Sequence, residues 1–317
     1  MKLVPAFFKL VRWPNLVFIA LTQVLFLYCI EQPIFRNAGI VTNVHGAYFL
    51  CLMLASVVIA AAGNIINDYF DLNIDQINKP EKVIVDKVIS RRWVILWHLI
   101  LSITGVVLGF YIDWFTRVRF LGLANLASVL LLFFYSVSLK KKLLIGNVVI
   151  SLLTAWVILV ITYCETNHLL DVFRKGSSLE ADKLSRLTFL YAGFAFIISL
   201  IREVIKDMED VEGDRKYGCK TMPIVWGLNA SKVFVAVWLV VLIAALAIVQ
   251  FYVLQFGWLF WISALYCTVF IIVPLLWIFR KLFKAQSPQD FHQLSSVVKI
   301  VMLTGILSMV FFKVYAP

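Results

Sequence analysis

The sequence predicts an all-α membrane protein, a bundle of nine transmembrane helices that forms a single domain over residues 1–317. Of these residues, 62% are hydrophobic and only 15% are charged, and the mean hydropathy is +0.93. Soluble domains are about half apolar and about a quarter charged. The apolar residues also fall in runs of about 20, the length that an α-helix needs to cross the hydrocarbon core of a bilayer.

Nine such runs follow one another along the chain. The first run follows the basic residues Lys2, Lys9 and Arg12, and a signal peptide also has basic residues before its apolar run. However, no small-residue cleavage site follows this run. It is therefore predicted to remain as a membrane helix. The predicted spans are 14–31, 46–66, 93–112, 119–138, 144–164, 188–206, 231–254, 257–279 and 295–314.

Positive charge falls mainly on one side of these spans. If the chain crosses the membrane at each span, 21 of its 29 Lys and Arg side chains lie on the side of the N-terminus and 8 on the other. Cytoplasmic loops collect Lys and Arg, which predicts an inner (plasma) membrane protein with that side in the cytoplasm. Topology and an anionic ligand then account for the net charge of +11, and no nucleic-acid partner is expected.

The cysteines and histidines show no clustered pattern. No CxxC spacing occurs, so the thiols are predicted to be buried singly rather than to form disulfides or a zinc site. The four histidines are also far apart, and a histidine-based metal site is not expected. The five cysteines are Cys29, Cys51, Cys164, Cys219 and Cys267.

Two acidic stretches repeat one spacing at the ends of the second and sixth predicted spans. Their aspartates are separated by three and then four residues: Asp68, Asp71 and Asp75 in the first stretch, and Asp207, Asp210 and Asp214 in the second. Because a helix turns by about 100° per residue, each trio would cover an arc of only about 60° if the helix continued. Asn64 and Glu203 lie one helical turn before the respective trios.

The two trios are expected to emerge on the same side of the membrane, because four crossings separate them. Two acidic faces at one cavity repel each other, so a cation is expected between them. Mg²⁺ prefers oxygen ligands and binds carboxylates together with substrate phosphates. The six aspartates, with Asn64 and Asn67 as neutral oxygen ligands, are therefore predicted to hold two or more Mg²⁺ ions against a diphosphate. Solvated helix ends with chance acids would not explain the repeated spacing.

These stretches resemble a known family. "NDYFDLNID" is similar to the NDxxDxxxD motif, and "DVEGD" to the DxxxD motif, of the UbiA family of intramembrane prenyltransferases. The flanks "NDYFDLNIDQINKP", "VISRR", "LKKKLLIGN" and "KDMEDVEGDRKYGCKTMPI" look most like its digeranylgeranylglyceryl phosphate synthase branch. The resemblance covers essentially the whole chain. It implies nine helices, Mg²⁺ as cofactor, and catalytic aspartates at the cytoplasmic ends of helices two and six: Asp68, Asp71, Asp75, Asp210 and Asp214, with Asp207 outside the minimal second motif.

Basic residues near the motifs are further candidates. The resemblance implies that a tyrosine and a lysine between helices four and five bind the diphosphate. In this sequence these residues are Tyr135 and Lys140. The "KKK" at 140–142 is equally well explained by topology alone. Additional candidates for the diphosphate are Arg215 and Lys220. After the first motif, "NKPEKVIVDKVIS" replaces the "NRPxRPIPSG" common in that branch, and the retained basic positions are predicted to bind an anionic acceptor: Lys79 and Lys82.

The resulting functional hypothesis is an enzyme that transfers a prenyl group from a prenyl diphosphate to an acceptor held in the bilayer. In the branch named above, geranylgeranyl diphosphate alkylates geranylgeranylglyceryl phosphate to form an ether lipid. An aromatic acceptor of menaquinone or quinone synthesis is the alternative. A cation transporter would place its acids in broken helices in mid-membrane, whereas both trios lie at one edge, and a scaffold protein gives no reason for the spacing. Aromatic candidates for shielding an allylic cation are Tyr69, Phe70 and Trp156.

Overall fold

The computed structural model describes residues 3–39, 41–78, 80, 83–166, 170, 178–254 and 260–315. Within these residues the protein is helical, and the one β interaction is an isolated bridge between Val85 and Ile89. The helices are α1 (Leu3–Leu10), α2 (Trp13–Asn37), α3 (Ala47–Asn78), α4 (Arg91–Phe115), α5 (Leu121–Val137), α6 (Ile145–Cys164), α7 (Ser178–Glu209), α8 (Val211–Lys216), α9 (Met222–Val225), α10 (Leu228–Val253), α11 (Phe260–Leu282), α12 (Pro288–Leu307) and α13 (Val310–Tyr315).

Eight helices of the described chain are long and apolar enough to cross a bilayer. A ninth apolar helix, α5, has 17 residues and therefore a length of about 25 Å at 1.5 Å per residue. The prediction of an all-α membrane bundle is confirmed, and the protein is an integral membrane protein. The count of nine holds when the shorter α5 is included.

The helices that carry the acidic stretches are longer than the apolar runs that predicted them. The second predicted span ends at residue 66, but α3 continues to Asn78. The sixth was predicted over 188–206, whereas α7 occupies Ser178–Glu209. Hydropathy marks only the part of a helix that faces lipid, so it misses polar turns that continue towards the membrane surface.

Small residues let α3, α4 and α5 approach one another closely. A Cβ atom at Gly105 of α4 would lie 2.4 Å from Cγ1 of Ile59 on α3, and one at Gly109 would lie 2.9 Å from Cα of Gly122 on α5. The side-chain amide of Asn125 donates a hydrogen bond of 2.9 Å to the carbonyl oxygen of Gly105. Helices in lipid associate through such close packing and interhelical hydrogen bonds. This packing fixes the helix that carries the first acidic stretch.

Side chains cap two of the helices. The carboxylate of Asp113 accepts hydrogen bonds from the backbone N–H groups of Leu121 and Gly122, at 2.9 and 2.8 Å, where α5 begins. At the start of α12, Ser287 and Asp290 form a reciprocal capping box. Both arrangements satisfy backbone donors that have no partner within the helix.

Apolar packing lies on two sides of a central cavity. One cluster includes Phe26, Phe35 and Ile161, and another includes Ile205, Leu275 and Phe291. Partly buried side chains of both clusters also line the cavity, for example Trp156 and Met302. The cavity therefore borders both apolar clusters.

The cysteines are single thiols, as the sequence predicts. All five are free, four of them are buried, and Cys51 is half-buried. Burial, together with the nearby carboxylate of Asp214, raises the pKa of the Cys219 thiol to about 11. This thiol therefore stays protonated at neutral pH.

Candidate active site

The first acidic stretch lies on one continuous helix. Because α3 is unbroken to Asn78, the predicted helical face exists, and Asn64, Asp68, Asp71 and Asp75 all line one cavity. The amide of Asn64 also donates a hydrogen bond of 2.9 Å to the carbonyl oxygen of Val11, in the turn between α1 and α2. That bond holds the N-terminal segment against α3.

The second acidic stretch is not a continuous helix. Asp207 belongs to α7, but the helix ends at Glu209, and Asp210 is the residue before the short helix α8, with φ −100° and ψ 11°. Asp214 lies on α8. The expectation of a 60° helical arc therefore holds for the first trio and not for the second. The break nevertheless leaves all three carboxylates on the cavity wall.

Asn78, which sequence reasoning missed, joins the two stretches. Its side-chain amide donates a hydrogen bond of 3.1 Å to the carbonyl oxygen of Asp210, and its side-chain oxygen accepts one of 2.8 Å from the N–H of Gly213. A Cβ atom at Gly213 would lie 2.4 Å from that same oxygen, so glycine permits the contact. Asp75 and Asp210 are also close enough to interact electrostatically. The two acidic helix ends therefore meet.

The cavity between them has a volume of about 1140 Å³. Its polar end is lined by all six aspartates together with Asn64 and Asn67. Its other end is lined by apolar residues such as Phe194, Met302 and Ile306. One cavity thus joins a highly anionic end to an apolar interior that lies between membrane helices.

Two cations reach the first acidic stretch from other parts of the chain. Arg12 lies 2.6 Å from the carboxylate of Asp68, and Lys140 lies 2.5 Å from that of Asp71. The Asp68 carboxylate raises the pKa of Arg12 further above its usual range. Burial lowers the pKa of Lys140, and the attraction of Asp71 opposes that effect. Both cations therefore place positive charge among the carboxylates.

The position of Lys140 depends on its neighbours. It lies in a single 3₁₀ turn, Leu139–Lys141, between α5 and α6. A Cβ atom at Gly146 would lie 2.6 Å from Cα of Lys140, so glycine lets this turn pack on α6. The ammonium group also donates a hydrogen bond of 3.0 Å to the side-chain oxygen of Asn67, whose amide in turn donates one of 2.7 Å to Asp71.

The second trio is held by an amide from α6. Asn147 is buried and donates a hydrogen bond of 2.8 Å to the carboxylate of Asp207. Tyr135 of α5 lines the cavity between the two stretches and lies close enough to both Asp71 and Asp207 to interact electrostatically. The phenol is therefore placed to donate a hydrogen bond to an anion held between the trios.

A sequence model of the UbiA prenyltransferase family matches residues 37–300. The chain belongs to the UbiA prenyltransferase family. It is therefore an enzyme, and the predicted prenyltransferase is confirmed over the transporter and scaffold alternatives.

Individual relatives of this prenyltransferase carry more specific descriptions. The digeranylgeranylglyceryl phosphate synthase of Methanothermobacter thermautotrophicus is 37% identical over 230 residues, which cover 72% of each chain. A solved structure of digeranylgeranylglyceryl phosphate synthase in membranes matches with a TM-score of 0.61 and 23% identity, over 98% of this chain and 99% of the other. The structure of a UbiA homolog from Archaeoglobus fulgidus bound to GPP and Mg²⁺ matches with a TM-score of 0.57 and 15% identity, over 96% of this chain and 99% of the other. Both structures share the fold.

The residues of this prenyltransferase fit a magnesium ion by their chemistry. The six aspartates of the two acidic stretches line its cavity together with Asn64 and Asn67, and all of these side chains offer the oxygen ligands that Mg²⁺ prefers. Across the described chain, no three Asp, Glu, His or Cys side chains are gathered into a ready-made metal cluster. Several carboxylates are instead bound by cations and amides.

Some predicted site residues of the prenyltransferase lie elsewhere. Arg215, on α8, and Lys220, in the segment after it, are exposed and do not line the cavity. Lys79 and Lys82 fall outside the described residues, so their proposed role stays a prediction. Of the aromatic candidates, Trp156 lines the cavity, whereas Tyr69 and Phe70 do not.

Several site residues of the prenyltransferase were not singled out from the sequence. They share a polar side chain on a membrane helix or beside one, and all line the cavity: Arg12, Asn78, Arg202, Lys206 and Lys299. Arg202 and Lys299 offered the clearest signal, because a charge within an apolar span is costly and marks a functional position.

Proposed function

We propose that this prenyltransferase transfers a geranylgeranyl group from geranylgeranyl diphosphate to geranylgeranylglyceryl phosphate, in a Mg²⁺-dependent reaction that forms an ether lipid. The junction of the two acidic stretches at one cavity supports this proposal above all other observations. The cavity suits a donor with an anionic head and a long apolar tail, because its two ends have those two characters. The relatives named above support the choice of donor and acceptor.

The reaction exchanges one carbon–oxygen bond for another. The hydroxyl oxygen of the acceptor forms a bond to C1 of the donor, and the bond between C1 and the diphosphate oxygen breaks. The bonding electron pair leaves with the diphosphate. The hydroxyl proton is lost as the ether forms, and the released diphosphate is a base that can accept it.

The donor binds with its diphosphate at the acidic end of the cavity. Magnesium ions held by the six aspartates, with Asn64 and Asn67, would supply positive charge to the leaving diphosphate. Lys140 and Arg12 already lie within 2.6 Å of the carboxylates at this end, so they are placed to bind diphosphate oxygens directly. Tyr135 would donate a further hydrogen bond. Together these groups favour the departure of the anion.

The remainder of the cavity keeps water from the reacting carbon. The donor chain lies among apolar residues such as Phe194 and Met302, and an electron-deficient C1 would otherwise be captured by water. The ring of Trp156 is available to stabilise positive charge, an effect worth about 0.5–2 kcal/mol. We further propose that residues 1–317 act as one domain of the plasma membrane, with the acidic end of the cavity facing the cytoplasm, because most Lys and Arg residues lie on that side.

A direct assay tests this function. Purified protein in phosphatidylcholine nanodiscs is given radiolabelled geranylgeranyl diphosphate with either geranylgeranylglyceryl phosphate or a hydroxynaphthoate acceptor, each with Mg²⁺ and with EDTA. We expect a labelled ether lipid from the glyceryl phosphate alone, and only with Mg²⁺. Product from the naphthoate alone would instead favour an aromatic prenyltransferase. Equal turnover in EDTA would contradict the role given to the aspartates.

A further inference from the structure

Two cations of the cavity wall lie within membrane-spanning helices. Arg202 is seven residues before the end of α7 and Lys299 eleven residues after the start of α12, which are distances of about 10 and about 16 Å along the helix axes at 1.5 Å per residue. These two helix ends are adjacent, because His292 of α12 lies 3.0 Å from the carboxylate of Glu209. Charges on membrane-spanning helices are costly and are retained where they bind a partner or a substrate.

The protein itself neutralises these cations only in part. Arg202 lies 3.1 Å from one oxygen of Glu203, but Lys206 lies 3.0 Å from the other, so one carboxylate serves two cations. The Nε atom of Arg202 is buried and has no hydrogen-bond partner. Buried donors are rarely left in this state, and it indicates that a ligand acceptor belongs beside the guanidinium.

Lys299 adds a third positive charge at the same place. Its ammonium group lies 5.5 Å from the ring centre of Phe18 on α2 and forms no ion pair with any residue that the structure describes. Arg202 and Lys299 are close enough to repel each other. Two like charges facing one cavity are expected to share an anion.

We propose that Arg202 and Lys299 bind the phosphate group of the acceptor lipid. This inference rests on the proposed function, which supplies a phosphate-bearing acceptor, and adds the subsite that recognises it. The carboxylate of Glu203 is shared by Arg202 and Lys206, and Lys299 lies near Arg202 without an ion pair of its own among the described residues. A phosphate monoester carries about −1.5 to −2 charges at pH 7. The ligand would therefore bring negative charge to the place where Arg202 and Lys299 repel each other.

The position of this subsite separates acceptor from donor. On α7, Glu203 follows Arg202 directly and lies one helical turn before Asp207. Its carboxylate is held by both Arg202 and Lys206 and repels a phosphate from the intervening space. The acceptor phosphate therefore lies deeper in the bundle than the donor diphosphate, and the two anions do not compete. A lipid alcohol without phosphate would leave the cations unpaired, so the subsite selects for the phosphate.

Binding measurements test the subsite without requiring turnover. Full-length protein in phosphatidylcholine nanodiscs is titrated with geranylgeranylglyceryl phosphate, the corresponding alcohol, phosphatidic acid and inorganic phosphate. We expect the glyceryl phosphate to bind at least tenfold more tightly than the other three. Lys299→Gln and Arg202→Gln should each weaken its binding about tenfold. Thermal unfolding without ligand verifies that both variants fold.

Lys281→Gln is the matched control. Lys281 also lies over an aromatic ring, 5.8 Å from the centre of Trp277, but it is exposed and does not line the cavity. Its replacement should leave acceptor binding unchanged. In steady-state assays, Lys299→Gln should raise the KM of the acceptor about tenfold and leave the KM of the donor unchanged.

Three results would overturn the inference. The first is wild-type affinity for geranylgeranylglyceryl phosphate in both Lys299→Gln and Arg202→Gln. The second is equal affinity for the glyceryl phosphate and the corresponding alcohol. The third is equal affinity for the glyceryl phosphate and phosphatidic acid, which would assign the cations to bilayer lipid. If the wild-type protein binds the glyceryl phosphate through Lys299 but does not prenylate it, the subsite stands and the proposed function fails. If transfer proceeds while the acceptor KM of both variants is unchanged, the function stands and the subsite fails.

Discussion

Asp71→Asn should lower kcat/KM for prenyl transfer about a thousandfold. The substitution keeps the shape of the side chain but removes the negative charge that lies 2.5 Å from Lys140 and accepts a hydrogen bond from Asn67. A lost metal-ligating carboxylate costs several kcal/mol of transition-state stabilisation, and about 4 kcal/mol corresponds to this factor. Initial rates with labelled donor at several Mg²⁺ concentrations measure it, and excess Mg²⁺ should restore little activity.

Asp86→Asn is the control for that substitution. Asp86 forms an ion pair of 3.1 Å with Arg91, but both side chains are more than half exposed and lie away from the cavity. Exposed pairs of this kind contribute about 0–1 kcal/mol. We expect unchanged turnover. If Asp71→Asn were as active as Asp86→Asn, the acidic stretch of α3 would have no part in catalysis.

Lys140→Met should lower kcat/KM about a hundredfold, mainly through a higher KM for the prenyl diphosphate. Methionine retains most of the side-chain volume but cannot donate to a phosphate oxygen. A hydrogen bond to a charged group is worth about 1.5–3 kcal/mol, which corresponds to a factor of about 10 to 100. Competition with inorganic diphosphate should show the same loss of affinity.

Lys142→Met is the control that separates diphosphate binding by Lys140 from the effect of positive charge on membrane topology. Lys142 belongs to the same basic run, but its side chain is exposed and does not line the cavity. If the run served only to keep this loop in the cytoplasm, both substitutions would have equal effects on activity. A hundredfold difference between the two variants would assign the function to Lys140 alone.

The sequence predicted the first acidic stretch in detail because its geometry is local. The spacing of Asp68, Asp71 and Asp75 defines a face as long as the helix is continuous, and α3 continues to Asn78. The second stretch has the same spacing, yet the helix ends before Asp210. At that break, Asn78 donates one hydrogen bond and accepts another, although it is more than 130 residues away in sequence. No local pattern encodes such a contact.

The sequence did not predict which Lys and Arg side chains face the cavity. Counting Lys and Arg gives the side of the membrane, but it does not show which side chains turn inwards. Arg12 reaches Asp68 because Asn64 holds the preceding turn against α3. Arg215 follows the break in α7 and is exposed, although it is only one residue from Asp214. Helix packing decides between these outcomes, and packing is not visible in charge counts.

In the proposed mechanism, the two acidic stretches act on one diphosphate. A double-mutant cycle with Asp71→Asn and Asp210→Asn tests it most directly, using calorimetric binding of a non-hydrolysable geranylgeranyl thiodiphosphate in the presence of Mg²⁺. If both carboxylates serve one bound anion, the second substitution should cost much less once the first is present, with a coupling free energy of at least about 1 kcal/mol. Losses that add to within about 0.5 kcal/mol would show that the stretches bind independently and would contradict the claim.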